Sequence, residues 1–142
     1  MKKKLTFILA LIALGASAFA CEMGFLLLGP DGSQRRITPD ADIELISGRE
    51  YELRITFTQD HGRCDVPAED TVFLLNGEKW KPDREDSALA YRSSVQWTDI
   101  SAREHEARIP FTVRSTGEIQ LEIIRECAKK DGYDEVFSFF AE

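Results

Sequence analysis

Glu50-Tyr51-Glu52-Leu53-Arg54-Ile55-Thr56-Phe57-Thr58 places an apolar or aromatic side chain at every second position, with charged and hydroxylated residues between. Successive side chains on a strand point to opposite faces, so this period of two predicts a β-strand with one face buried and one wet. The pattern recurs in Ile109, Phe111 and Val113, and again in Ile119, Leu121 and Ile123 after Gly117. From Cys21 onward no stretch of a dozen residues carries apolar groups at the three-and-four spacing of a helix. Val72-Phe73-Leu74-Leu75 and Val136-Phe137-Ser138-Phe139-Phe140 are shorter and more uniformly apolar, the pattern of strands covered on both faces.

Turn chemistry separates these runs where an antiparallel sheet needs it. Gly29-Pro30-Asp31-Gly32 should reverse the chain after Leu28, Asn76-Gly77 is a two-residue hairpin signal, and Asp131-Gly132 offers a turn before the last strand. The principal strands are predicted at Glu22 to Leu28, Glu50 to Gln59, Thr71 to Leu75, Glu106 to Arg114, Glu118 to Cys127 and Asp134 to Ala141. Edge strands are expected near Arg36 to Thr38, Ile43 to Ile46 and Leu89 to Trp97, with a solvated loop from Lys81 to Ala88. This spacing predicts an all-β fold, an antiparallel two-sheet sandwich of about seven to nine strands, in preference to a barrel or an α/β fold.

The chain has 142 residues, enough for one compact domain, which is expected to span residues 21–142. Residues 1–20 read as an export signal that is removed. Lys2, Lys3 and Lys4 form a positive start, Leu5 to Leu14 an apolar run, and Ala18-Phe19-Ala20 the small-x-small pattern of a cleavage site. That run is too short for a bilayer's hydrocarbon core, which takes about 20 residues, so no transmembrane segment is predicted in the mature chain. Loss of the three lysines makes the formal charge of −7 more negative still. An acidic chain without a basic stripe is a poor ligand for nucleic acid and for an anionic membrane surface. Cys21 follows the expected cut, where a bacterial lipoprotein would be acylated; Ala18 and Phe19 depart from the Leu and small residue usual before such a cysteine. Export to the periplasm is therefore expected, either free or held by a lipid on Cys21.

Gly117 followed by Ile119, Leu121 and Ile123 resembles the opening of a late strand in immunoglobulin-like domains. The Cys-Trp-Cys core signature of antibody domains is missing, since Cys64 lies past the end of its strand and Trp80 after the next one. The resemblance is to the broad immunoglobulin-like architecture and implies no function by itself. Cys21, His61-Gly62-Arg63-Cys64 and Arg125-Glu126-Cys127 before Gly132-Tyr133 also resemble a pattern in small exported bacterial proteins. That likeness implies export and a sandwich, and no activity.

Immunoglobulin-like strand order would gather Cys21, His61, Cys64 and Cys127 at one pole, with His105 near. One reading is a Cys64–Cys127 disulfide, which would close a loop of about 60 residues and add roughly 3–4 kcal/mol through the unfolded chain. It leaves Cys21 lipidated, free or paired with another molecule. A second reading makes Cys21, His61, Cys64 and Cys127 a thiolate-imidazole site for zinc or copper, with Met23 an added soft ligand if it is not core. A third lets His61 activate Cys64 as a nucleophile, although no orienting partner or oxyanion hole is evident.

Asp60-His61 and His105-Glu106 set a carboxylate beside an imidazole, but neighbours on a strand face opposite ways, so adjacency alone makes no acid-base pair. Glu69-Asp70 and Asp83, Glu85 and Asp86 lack the spacing of a calcium loop. Trp80, Tyr91, Trp97 and Tyr133 are candidates for an aromatic binding platform, with at least two expected in the core. Arg35-Arg36 is too small a patch for a polyanion. No phosphate loop, nucleophile elbow or His-Glu-x-x-His motif occurs. The expected function is a non-enzymatic binding module, without cofactor, that recognises a protein partner through loops at the cysteine pole. A metal-binding protein is the alternative.

Overall fold

The computed structural model describes residues 22–59, 66–126 and 132–142. Within them the chain forms β1 (Glu22–Leu28), β2 (Gln34–Arg36), β3 (Ile43–Leu45), β4 (Glu50–Thr58), β5 (Val72–Leu75), β6 (Glu78–Lys79), β7 (Leu89–Ala90), β8 (Trp97–Asp99), β9 (Glu104–Val113), β10 (Gly117–Arg125) and β11 (Tyr133–Ala141). Among the described residues the helical content is one 3₁₀ turn, Ala68–Asp70. The six principal strands lie within two residues of their predicted bounds. The count exceeds seven to nine because Leu89 to Trp97 divides into β7 and β8 and the turn at Asn76 leads into the two-residue β6.

Two sheets result. One runs β2-β1-β4-β9-β7 with β8 also pairing β9, and the other runs β3-β11-β10-β5-β6. Every pairing is antiparallel except β3 with β11, which is parallel, so the expectation of a purely antiparallel sandwich needs correcting there. Residues 43–45 reach that edge because the segment crosses from the first sheet to the second and lands beside the last strand.

The pleat explains the assignment of faces. On β4, Tyr51, Leu53, Ile55 and Phe57 are buried, while the residues between them are half-buried or exposed. Ile119, Leu121 and Ile123 of β10 do the same for the second sheet. The two inner faces share a single core, crossed by Phe25 against Phe137 with ring centroids 4.6 Å apart. Trp80, which follows β6, likewise meets Phe111 of β9 edge-on at 6.3 Å.

The hairpin at Asn76-Gly77 forms as expected, with φ of 49° and 83°, the positive values a tight two-residue turn demands. Asn76 also ties the turn to β10 by accepting from the Gln120 amide at 2.9 Å through Oδ1. The turn after β1 closes through Gly29 N–H to the Ser33 carbonyl at 2.8 Å, with Asp31 accepting from Ser33. Asp131 of the last predicted turn lies outside the described residues.

Phe137 and Phe140 sit three positions apart on β11 and test this division of faces. Phe137→Ala, in the core, is expected to lose about 3–5 kcal/mol. Phe140→Ala, on the opposite face, should lose less than about 1 kcal/mol by the same urea titration. Equal losses would contradict the assignment.

Candidate functional site

Strand register builds one end of the sandwich. Glu22 lies opposite Thr58, and Thr58 opposite Glu104. On the facing sheet Arg125 lies opposite Tyr133. The two sheets meet here through the Arg125 guanidinium, which stacks on the Phe57 ring 3.7 Å from its centroid. Arg125 is 3% exposed and donates to the carbonyls of Val66 and Pro67 and to Thr71 Oγ1. Thr71 in turn donates to the Ala68 carbonyl at 2.7 Å. The arginine thus fixes residues 66–71 to the end of β10. Gly132 completes the corner, since a Cβ there would collide with the Arg125 carbonyl oxygen.

Cys21, His61, Cys64 and Cys127, the predicted disulfide, metal and lipidation residues, lie outside the described residues, as does Asp60. Their described neighbours Glu22, Gln59, Val66 and Glu126 attach to this end through β1, β4, the Arg125 clamp and β10. His105 is described and comes to the same end, its ring stacked 5.8 Å from Phe57. Its carboxylate partner is Asp99, opposite it on β8, with Nδ1 and Oδ1 2.6 Å apart. Glu106 instead accepts from Arg108, as opposite-facing neighbours require. Nε2 is buried and without a partner among the described residues. Among those residues no three His, Cys, Asp or Glu side chains cluster as metal ligands.

The aromatic candidates divide. Trp80 and Tyr91 are core: Trp80 Nε1 donates to the Leu89 carbonyl at 2.6 Å, and Tyr91 Oη donates to the Trp80 carbonyl at 3.1 Å. Trp97 and Tyr133 are partly buried against that core, so the four do not form a shared platform. Met23 also packs against the core, the role expected of a strand methionine. Residues 81–88 form the expected loop, where Arg84 and Asp86 pair at 2.8 Å. Open clefts of about 480 and 580 Å³ flank the far edges and are lined by residues of both charges, including Arg84 and Glu85 in one and Arg35 and Glu44 in the other.

The outer face of the second sheet departs from the sequence reading. β5 and β11 read as covered on both faces, yet Val72, Val136 and Phe140 are 42%, 39% and 37% exposed. Val72 pairs with Ile124, and Leu74 and Val136 flank Glu122 from either side, making an apolar strip across three strands. Glu122 lies within it, and Asp134 stands opposite Ile124. The apolar surroundings push the Glu122 carboxyl above its usual range, and a hydrogen bond and the charge of Asp134 push it further. The unbroken apolar runs were the available signal for this face. They reveal two apolar faces without saying what covers the second.

No protein-family profile matches the chain, and a search of curated proteins finds no relative.

Arg125→Met should cost about 3 kcal/mol or more in urea unfolding, because the carbonyls it serves lose a charged donor inside the core. Burial, with the nearby charge of Glu135, raises the Tyr133 phenol well above its ordinary range. A raised folded-state value favours folding fully below the unfolded phenol's pKa of about 10 and loses that contribution as pH climbs beyond it. Stability measured from pH 9 to 12 should therefore fall less steeply in Tyr133→Phe. Tyr91, raised by burial and Asp83, contributes slope in the same direction.

Proposed function

We propose that the chain is an exported, non-enzymatic binding module built on an immunoglobulin-like sandwich. The observation that carries this reading is the apolar strip of Val72, Leu74, Ile124 and Val136 with its solvent-exposed members. Three strands present aliphatic side chains to water next to a fully formed core, an arrangement typical of interaction surfaces. Strand order supports the immunoglobulin-like type: with β1, β4, β5, β7, β9, β10 and β11 taken as A to G, the sheets run A-B-E-D and G-F-C. The reading of residues 1–20 as an export signal supports a periplasmic location, with Cys21 the place of any lipid anchor.

A Cys64–Cys127 disulfide belongs to this proposal, as both cysteines follow chain segments that end near Arg125. On that reading Cys64→Ala and Cys127→Ala destabilise the domain alike and the double variant no further; additive losses would refute the pairing. A second reading is a zinc or copper site using Cys21, His61, Cys64 and Cys127; what favours it is His105 at the same end, its Nδ1 on Asp99 and its buried Nε2 without a partner among the described residues, so that it could add an imidazole to that set. Intact mass after alkylation, with elemental analysis, separates the two. A mass two hydrogens light without metal supports the disulfide, and three alkylatable thiols with stoichiometric metal support the site.

Photo-crosslinking in the exporting cells tests the binding role. A photoreactive residue at Val136 should give a discrete adduct with another protein, while one at Arg54 on the opposite sheet should give none. Absence of any adduct at Val136 would refute a binding module that uses this face.

A further inference from the structure

The outer face of β5, β10 and β11 carries a charge pattern as well as an apolar strip. Glu122 sits between Leu74 and Val136, Asp134 beside Ile124, and Glu118 and Glu44 on either side of Phe140. Lys79, opposite Leu74 on β6, is the basic residue in register at the strip's edge. The ion pairs among the described residues are Arg54–Glu52, Arg84–Asp86, His105–Asp99 and Arg108–Glu106, so none supplies Glu122 or Asp134 with a cation. Glu122, opposite Val136, and Asp134, opposite Ile124, are diagonal neighbours on adjacent strands, so two like charges lie side by side among aliphatic groups, an arrangement that repulsion opposes.

We propose that this face docks a protein segment that presents a lysine or arginine among aliphatic side chains, the basic group seating between Glu122 and Asp134. The proposal rests on the binding-module reading above and names the chemistry of its partner. Aliphatic partner residues would cover Val72, Leu74, Ile124 and Val136. The cation would relieve the carboxyl pair, converting a like-charge contact into a charge-assisted one. A second copy of this chain is the wrong occupant. A twofold contact would bring together two copies of the same acidic face, and the whole chain carries a formal charge of −7. An anionic lipid surface is repelled for the same reason.

The purified protein, labelled at its Ile, Leu and Val methyl groups, is titrated with two synthetic peptides, one alternating Val with Lys and one alternating Val with Glu. The lysine peptide should shift the methyls of Val72, Leu74, Ile124 and Val136 saturably and bind at least tenfold tighter than the glutamate peptide. Glu122→Gln with Asp134→Asn should remove most of that tenfold preference while leaving the remaining methyl spectrum unchanged. Equal binding of both peptides, binding of neither, or shifts confined to another face would each overturn the proposal. So would sedimentation showing a dimer whose dissociation moves these same methyls. An adduct at Val136 in cells combined with failure here would retain the binding module and discard the basic partner.

Discussion

Everything in this molecule depends on the pleat of two strands, β4 and β10, being held in phase. Each contributes a row of large apolar side chains that can be hidden only against the row of the other sheet. β1 and β9 are registered on either side of β4, and β5 and β11 on either side of β10. A slip of one residue in either sheet would turn its row outward and expose the core, so register is tightly constrained. The same register decides which chain ends and loops meet at which end of the sandwich.

Arg125 shows how a charge is accommodated where that core ends. It continues the inward row of β10, a place where a leucine would serve packing, and it lies over Phe57 with its N–H groups turned to the carbonyls of residues 66 and 67. Removing a guanidinium from water costs several kcal/mol, and ring contact and charged hydrogen bonds offset it only because all are made together. The consequence is positional. The segment leading into β5 is bound to the end of β10, beside His105 and Asp99, so a loop base, a sheet corner and an oriented imidazole share one rigid end.

The outer face of the second sheet obeys a different balance. Strands that are half-wet need polar residues on alternate positions, which β4 supplies with Glu50, Glu52 and Arg54. β5 and β11 instead carry Val72, Leu74, Val136 and Phe140 in those positions. Their exposure costs hydrophobic stabilisation that a partner would recover, and the neighbouring carboxyls make a basic partner the complementary one. The sheet face proposed for recognition is thus separate from the loop pole at which the sequence reading expected a partner.

Strand positions were legible because they follow from local chemistry: alternation at Tyr51 to Phe57, a left-handed turn at Asn76-Gly77, and an apolar period in Ile119 to Ile123 each depend on near neighbours alone. The candidate site was less so. That His105 would pair with Asp99 rather than Glu106 depends on the β8–β9 register, and that Arg125 would close over Phe57 and β3 would run parallel to β11 depends on contacts between segments far apart in the chain. The unbroken apolar runs announced two apolar faces, but which of them met the core was open, since a period of one carries no face. Packing resolved it. Inward positions were set by registry with Leu121 and Ile123, and the outward ones were left to water because no other described segment lies over them.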